Sequence, residues 1–407
     1  MPAIDRLAET RGMKAAFHPE MQKEFGKGRF AEYIESLMGD YLRQFDVEWI
    51  FGTREQEKRF KKILSRARPV AKRLADAINS ALKEYFDGKP AAAYHALART
   101  LNDKKIRDLL IRRSAFISSR IMRDIPSAKN FYYRQCREAI PEEMKARFGN
   151  LQLYRFRKKD SDQNELNREE IFHLPSHERH LVGTNRYSIP GHPCLYLGLS
   201  LKVCWEEFGR PSSFFYSQFD LRKKIAVPGE SELLGDMSAV RNSYIFILYA
   251  SDFSPQSVMN ELPRQLQEDI EQGCRSQETL HYFIPFFALW PLSLACSIPK
   301  LHREAKFHPE YIIPQLLMQW TLDKDYFDTV CYRSTRRDGE NGQDTYWNLA
   351  FPARDIGEDG YCNRLVKYFH LTKPKQPCSE CLDEEQLQEM EDGLWNSEFR
   401  PLRSEAD

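Results

Sequence analysis

The chain has 407 residues and a formal net charge of +1. This length allows two domains with separate cores, and the near-neutral total excludes a uniformly basic or uniformly acidic protein. The charge is nevertheless uneven, because residues 1–150 carry 31 Lys and Arg against 20 Asp and Glu, whereas the remainder carries 29 against 39. This asymmetry predicts either electrostatic docking of the first part on the second or contact of the first part with nucleic acid, and we favour docking.

Cysteine usage and hydropathy indicate the compartment. Nine cysteines are scattered singly, and no secretory signal pattern opens the sequence. An odd number of thiols without framework spacing is typical of a reducing environment, so we expect a cytoplasmic protein. The most apolar window, residues 280–299, contains a histidine together with Pro285 and Pro291. We therefore interpret it as core and expect no contact with a membrane.

The first part of the chain has a helical period. From about Arg29 to Phe148 the apolar residues recur at intervals of three and four, as in the stripe Val70, Leu74, Ile78, Leu82 and Tyr85. Helix ends are predicted at Phe51-Gly52-Thr53, Pro69, Asp87-Gly88, Asn102-Asp103 and Pro126. Residues 1–148 are thus predicted to form a basic helical bundle with a regulatory role.

After Gly149 the period changes to two. Short β-rich runs are separated by turn residues, namely "LQLYRF", "CLYLGL", "IFILYAS", "VCYRST" and "NLAFPA", with helices predicted over 200–208 and 309–322. A mixed α+β domain is therefore predicted over 149–372, which makes the whole chain α+β.

The tail, residues 373–407, is polar and acidic, and we expect it to be flexible. It contains Cys378 and Cys381, which have the spacing of half a zinc site. No second cysteine pair stands at a matching distance, so we expect no metal.

The predicted helix 200–208 carries two adjacent glutamates. With Ser200 as the N-cap, its apolar stripe consists of Leu201, Cys204, Trp205 and Phe208. Glu206 then points away from the stripe into water, whereas Glu207 lies on the flank of the stripe and can reach the edge of a cleft. Without further context, both glutamates are most simply interpreted as solvated surface charges.

Two arginines stand in or beside the β-rich runs. Arg155 lies inside "LQLYRF", and Arg186 precedes "CLYLGL". A planar guanidinium pairs with two oxygens at once, which suits a pyrophosphate. A lone arginine in a strand is more often a snorkelling edge residue, so the residue type alone leaves both interpretations open.

Five motifs in order resemble the RES-domain family, toxin-type domains whose fold resembles that of the ADP-ribosyltransferases. They are "LYRFR" with Arg155, "GTNRYSIPG" with Arg186, "CLYLGLSLKVCWEE" with Tyr196 eleven residues before Glu207, "PEYIIPQLLMQW" with Gln315, and "FDTVCYRSTR" with Ser334, followed by "WNLAFP". The resemblance covers roughly residues 150–372. Two positions depart from the pattern, because Ile312 stands where some members have serine and Phe156 stands where tyrosine is frequent.

The resemblance implies that NAD is the substrate and that its nicotinamide–ribose bond is cleaved by hydrolysis or phosphorolysis. The residues implied in catalysis are Glu207, Arg155 and Tyr196. The residues implied in NAD binding are Arg186, Phe156, Tyr187, Gln315 and Ser334. Cleavage of this bond develops positive charge on the sugar carbon, and a carboxylate against the ribose stabilises that charge.

Several roles remain open for such a chain. The leading hypothesis is a bacterial toxin or defence effector that consumes NAD and is restrained by its helical part. The alternative is an ADP-ribosyltransferase that modifies a protein or a nucleic acid. A third hypothesis is a non-enzymatic, nucleic-acid-binding helical module with a degenerate RES-like domain. The partners considered besides NAD are phosphate, an antitoxin or trigger protein, and a second copy of the chain.

Overall fold

The structure is a computed structural model, and it describes residues 29–43, 52–124, 151–159, 164–226, 243–251, 262–264, 266–267, 270–271, 277–300, 305–334, 347–377, 382–394 and 397–403. The helix end predicted at Pro126 and the cysteines Cys378 and Cys381 lie outside these residues.

The helices are α1 (Phe30–Arg43), α2 (Arg54–Phe86), α3 (Pro90–Leu101), α4 (Lys104–Asp124), α5 (Arg168–Ile171), α6 (Leu201–Glu207), α7 (Gln277–Cys296), α8 (Ile312–Lys324), α9 (Asn363–Tyr368) and α10 (Glu384–Leu394). Short 3-10 turns cover Ser176–Leu181 and Pro309–Tyr311. The strands are β1 (Gln152–Lys158), β2 (Cys194–Gly198), β3 (Phe214–Leu221), β4 (Lys224–Ile225), β5 (Tyr244–Ile245), β6 (Ile247–Tyr249), β7 (Thr329–Arg333), β8 (Trp347–Pro352), β9 (Phe369–Leu371) and β10 (Arg400–Pro401).

The chain divides into two compact units. The first comprises residues 1–117 and 248–324, and the second comprises residues 118–247 and 325–407. A helical region is followed by a region with a sheet, so the predicted α+β class is confirmed. The unit boundaries differ from the predicted domains, because α7 and α8 belong to the helical unit. Since α7 is apolar around most of its circumference, it needs helices on several sides, and α1 and α2 supply them.

Helix α2 is the longest element of the first unit. It begins with a capping box in which Gln56 N donates to Thr53 Oγ1 at 3.2 Å and Thr53 N donates to Gln56 Oε1 at 3.1 Å. The predicted break at Pro69 is wrong, because α2 continues through this residue. A proline removes one backbone donor from the helix, but α2 has buried apolar residues on both sides of it, with Phe60 and Ile63 before it. The stripe from Val70 to Leu82 after it is buried as predicted.

Helix α7 also continues through its prolines. Pro291 has no N–H to donate to the carbonyl of Phe287 four residues earlier. The hydroxyl of Tyr41 in α1 donates to that carbonyl instead, at 2.5 Å. A side chain of a neighbouring helix thus satisfies the acceptor that the proline left without a donor. Among the helices described, none combines the length and the apolar character that a bilayer crossing requires.

The sheet of the second unit has eight strands in the order β10-β9-β3-β1-β2-β8-β7-β6, and the boundary between the units falls within β6. Strands β1, β2, β7 and β8 occur where period-two runs predict them, and neighbouring pairs from β9 to β7 are antiparallel. The sequence analysis missed β3. Every residue of β3 is buried, so the strand lacks the alternation that marks a half-exposed strand.

The tail is folded over much of its described length, which corrects the expectation of flexibility. Helix α10 buries Leu387 and Leu394, and β10 pairs with β9 at the edge of the sheet. Lys375 also pairs with Tyr216 of β3 in both directions, at 2.9 Å each. Leu387 and Leu394 stand seven residues apart, so they share one helix face, and this face packs on the domain core.

Candidate functional site

Helix α6 is held closely against one face of the sheet. Ser200 is its N-cap, as predicted, and the Ser200 hydroxyl accepts a hydrogen bond from Val203 N at 3.2 Å. The helix crosses β2 at Gly198, where an added Cβ atom would lie 2.7 Å from Cys204 Sγ. A glycine is therefore required at this crossing, and the close approach places Glu207, the last residue of α6, beside the centre of the sheet.

The carboxylate of Glu207 is oriented by Asn348 of β8. Asn348 lies directly opposite Gly198 in the antiparallel register, so its side chain shares the sheet face on which α6 packs. Its Nδ2 donates to Glu207 Oε1 at 3.1 Å, and the asparagine is only 5% exposed. The predicted catalytic carboxylate thus has a buried amide that fixes its direction.

The surroundings of Glu207 differ from the helical-wheel prediction in two respects. Glu206 was expected in water, yet its side chain is only 12% exposed and pairs with Arg210 at 3.7 Å. Phe208 was expected in the buried stripe, yet it is 49% exposed, and Val203 is buried instead. The reason is that α6 has only seven residues and packs mainly through its first turn, whereas Phe208 is already its C-cap.

Tyr196 of β2 lies on the same sheet face. Its hydroxyl shares a hydrogen bond of 2.6 Å with Ser188, which is itself buried. Burial raises the pKa of Tyr196 well above its usual range, so its hydroxyl stays protonated at neutral pH. Tyr196 is therefore a neutral hydrogen-bonding and aromatic group in this site.

Arg186 and Tyr187 occupy the centre of a turn that Ser188 N closes by donating to Asn185 O at 3.2 Å. Arg186 is only 7% exposed. Tyr187 is fully buried, and its ring packs on Tyr332 of β7 with centroids 4.5 Å apart. Tyr187 therefore packs under the turn against the sheet, which differs from its predicted role in contacting the ligand.

Arg155 of β1 points to the sheet face opposite to α6, because its neighbours Tyr154 and Phe156 share the α6 face. Its Nη1 donates to the main-chain carbonyl of Tyr196 at 3.0 Å. Within the described part of the chain, no carboxylate pairs with Arg155, and its buried Nε has no acceptor. Burial, together with the charge of Arg157, lowers the pKa of Arg155 to about 10. The guanidinium thus remains a cation at neutral pH, with a main-chain carbonyl as its partner.

Phe156 is a core residue, which corrects its predicted role against NAD. Successive residues of a strand point to opposite faces, so Phe156 cannot share the direction of Arg155. Its ring is 1% exposed and stacks on Phe214 of β3 with centroids 4.1 Å apart. The alternation of residues along the strand "LYRF" predicts that Phe156 faces the core.

The remaining two predicted residues are separated by the division into units. Ser334 directly follows β7 in the second unit and is half-buried. Gln315 lies in α8, which belongs to the first unit, and is also half-buried. Within the second unit, Tyr196 and Glu207 lie on the sheet face that carries α6. Arg155 follows Tyr154, which lies opposite Gly198 on that face, so Arg155 points to the other face and contacts Tyr196 at its main-chain carbonyl.

Three residues that gather here were missed by the sequence analysis: Ser188, Tyr332 and Asn348. Tyr332 lies directly opposite Asn348 in the register of β7 and β8. Each of the three stands inside a motif that carries the family resemblance. Asparagine is depleted in strands, so Asn348 in the middle of an apolar run was a usable signal.

Comparison with known proteins gives one informative match. The chain is 33% identical over 226 residues to a protein of Bacillus subtilis (strain 168) named "Putative toxin YopC". The match covers 54% of this chain and 45% of that protein, so the chain spans less than half the length of this curated relative. No family model matches the sequence, and no solved structure matches it. The chain is thus similar to a protein named as a toxin, and its resemblance to the RES-domain family rests on the motifs alone.

Proposed function

We propose that the second unit binds NAD and cleaves its nicotinamide–ribose bond, and that the protein acts as a toxin through this consumption of NAD. Water or phosphate is the acceptor. Glu207, Arg155, Arg186 and Tyr196 are the residues through which the reaction runs.

One support for this proposal is the charge state of Arg155. A buried cation is costly unless an anion or several acceptors surround it. Among the described residues, Arg155 has the carbonyl of Tyr196 as a partner and no carboxylate. A pyrophosphate would supply the missing negative charge and would accept from Nε, because guanidinium and phosphate oxygens pair in a planar fork.

The observation that carries this proposal is the oriented carboxylate of Glu207. When the nicotinamide departs, the ribose carbon becomes positively charged, and a carboxylate fixed beside the sugar lowers the energy of that state. Asn348 holds Glu207 through a buried hydrogen bond of 3.1 Å. Nicotinamide leaves as a neutral base, so the site needs no strong general acid. The neutral hydroxyl and ring of Tyr196 suit contact with the ribose or the pyridinium.

The toxin role is supported by the match to the Bacillus protein. An NAD-consuming enzyme deprives a cell of its main hydride carrier, and this loss gives a physical reason for toxicity.

The test is incubation of the purified protein with NAD, with and without phosphate, followed by chromatographic identification of the products. Hydrolysis yields nicotinamide and ADP-ribose in both mixtures. Phosphorolysis yields nicotinamide only with phosphate, together with a phosphorylated ADP-ribose. A labelled adenylate group on a macromolecule would indicate ADP-ribosyl transfer instead, and intact NAD under all conditions would contradict the proposal.

A second candidate function, nucleic-acid binding, is favoured by one face of α2. Residues 58–73 of this helix carry eight Lys and Arg and no Asp or Glu. Seven of these basic residues are exposed. The segment is about 24 Å long at the helical rise, so it can follow several phosphates of a duplex.

The second candidate is tested with a fluorescent DNA duplex over a range of salt concentrations. Neutralisation of phosphates by α2 predicts binding that weakens steeply as salt rises, because counterions are released. The test variant changes Lys58, Lys62, Arg66 and Lys72 to Gln. The matched control changes four exposed lysines of the second unit, Lys158, Lys224, Lys367 and Lys373. Equal loss of binding in both variants would contradict a role of the α2 face.

A further inference from the structure

The C-terminal helix α10 covers the helix that carries Glu207. Leu387 and Leu394 of α10 are buried in one cluster with Leu201 and Cys204 of α6. The aromatic side chains of β1 and β3 complete this cluster, namely Tyr154, Phe156, Phe214 and Tyr216. Since α6 is short, a large part of its packing surface is provided by α10.

A hydrogen bond also joins α10 to the first residue of α6. Glu391 Oε1 accepts a hydrogen bond from the backbone N–H of Leu201, the first residue of α6. The first N–H groups of a helix have no partner within the helix. Ser200 satisfies the N–H of Val203, and Glu391 satisfies the N–H of Leu201.

Helix α10 is tied to the domain around this contact. Glu384 at its first turn pairs with Lys202 of α6 at 2.5 Å. Past its other end, Lys375 Nζ donates to Ser397 Oγ at 3.0 Å, while the backbone of Lys375 pairs with Tyr216. The contacts at both ends fix the register of α10, and they hold Glu391 at the start of α6.

We propose that Glu391 is a positioning residue for the carboxylate of Glu207. It fixes the start of α6, and the helix transmits this position to Glu207 at its end, where Asn348 completes the orientation. This inference rests on the proposed function for its kinetic consequence. Its structural part concerns only α6 and can be measured without NAD.

The kinetic test compares Glu391→Ala with Glu391→Gln, because glutamine keeps an acceptor oxygen at the same reach. A displacement of about 1 Å at a reacting group can cost on the order of 100-fold in rate, so we expect Glu391→Ala to lower kcat by about 10- to 100-fold. The KM for NAD should stay within about twofold, because the pyrophosphate contacts are untouched. Glu391→Gln should restore most of kcat.

Two control variants separate positioning from general loosening. Glu389→Ala changes an exposed glutamate of the same helix and should leave kcat unchanged. Leu387→Ala weakens the packing of α10 without touching the hydrogen bond. At a temperature where both proteins are folded, Leu387→Ala should lower kcat less than Glu391→Ala. Equal effects of these two variants, or wild-type kcat in Glu391→Ala, would overturn the inference.

Hydrogen exchange supplies the readout that is independent of activity. Glu391→Ala should speed the exchange of the amides at residues 201–203 relative to wild type, Glu391→Gln and Glu389→Ala. If wild type releases no nicotinamide but this exchange pattern is found, the proposed reaction fails and the positioning of α6 stands. If exchange at 201–203 is the same in wild type and Glu391→Ala, the positioning role fails whatever the activity.

Discussion

Asn348 Nδ2 and Glu207 Oε1 are joined by a hydrogen bond of 3.1 Å that connects the middle of the sheet to the end of α6. The amide comes from a strand with antiparallel neighbours on both sides, so it has little freedom to move. The carboxylate comes from a short helix, whose end is less constrained. The direction of Glu207 is thus set by the sheet.

Removal of this amide should impair catalysis more than binding. We expect Asn348→Ala to lower kcat for nicotinamide release by about tenfold, because Glu207 loses its orientation while the arginines remain. Asn348→Asp should be worse, because two like charges then oppose each other in a buried position. Thermal melting of each variant reports on folding. Unchanged kcat in a folded Asn348→Ala protein would show that Glu207 needs no such partner.

Arg155 and Arg186 should not be replaceable by lysine. A lysine keeps the charge but cannot form the planar fork, so NAD turnover should fall strongly in Arg155→Lys and in Arg186→Lys. Arg157→Lys is the matched control, because Arg157 stands on the same strand and donates to the main-chain carbonyl of Glu170. The measurement is kcat/KM for NAD. Wild-type kcat/KM in both test variants would remove these arginines from the site.

His173 should make the second unit sensitive to acid. The ring is fully buried, Cys362 N donates to its Nε2 at 3.0 Å, and burial lowers its pKa to about 4. The unfolded chain has a histidine pKa of about 6.5, so the stability from the neutral ring is complete above that pH and is lost as pH falls towards 4. The loss should be on the order of 3 kcal/mol.

The check for His173 is the free energy of unfolding of wild type and His173→Gln between pH 7 and pH 4. Wild type should lose more stability on acidification than His173→Gln. The exposed His180 provides a control, because His180→Gln should retain the wild-type pH dependence. Parallel pH curves for wild type and His173→Gln would contradict the prediction.

Glu391 should have the opposite pH dependence. Burial raises its pKa to about 8, the hydrogen bond from Leu201 N lowers it, and Asp392 raises it. Tyr154 and Cys204 face it from β1 and α6. The pKa of Glu391 in the folded state lies above its unfolded value of about 4.3. The stability that the protonated group contributes is therefore complete below about pH 4.3 and is lost as pH rises through 8. Unfolding free energies should therefore fall with rising pH more steeply in wild type than in Glu391→Gln, and equal slopes would contradict this prediction.

Much of the site could be predicted because its signals are local. Period-two runs mark β1 and β2, the serine cap marks the start of α6, and motif spacing selects Glu207. Phe156 and Phe208 were misjudged for two different reasons. The NAD-binding role of Phe156 was inferred from the family pattern, although strand alternation turns its side chain away from that of Arg155. Phe208 was placed in the buried stripe by a helical wheel, but it lies just past the end of a seven-residue helix.

The remainder depends on contacts between distant parts of the chain. Helix α7 belongs to the helical unit because it packs on α2 and because the Tyr41 hydroxyl donates to the carbonyl of Phe287. Neither contact can be deduced from the local hydrophobic period. Likewise, the acidic composition of the tail does not indicate that Leu387 and Leu394 are buried. Their burial depends on packing against the aromatic side chains of β1 and β3.

The most direct test of the central claim is nicotinamide release by Glu207→Gln and Glu206→Gln under identical conditions. Both variants replace a partly buried carboxylate with an amide of the same shape, and both glutamates belong to the same helix. Glu207→Gln removes the charge that stabilises the sugar cation, so its rate should fall by about 100- to 1,000-fold. Glu206→Gln weakens its pair with the exposed Arg210, which is worth little to stability, and should retain near wild-type activity. Normal turnover by Glu207→Gln would contradict the account, and loss of activity in Glu206→Gln alone would move the catalytic carboxylate to the neighbouring residue.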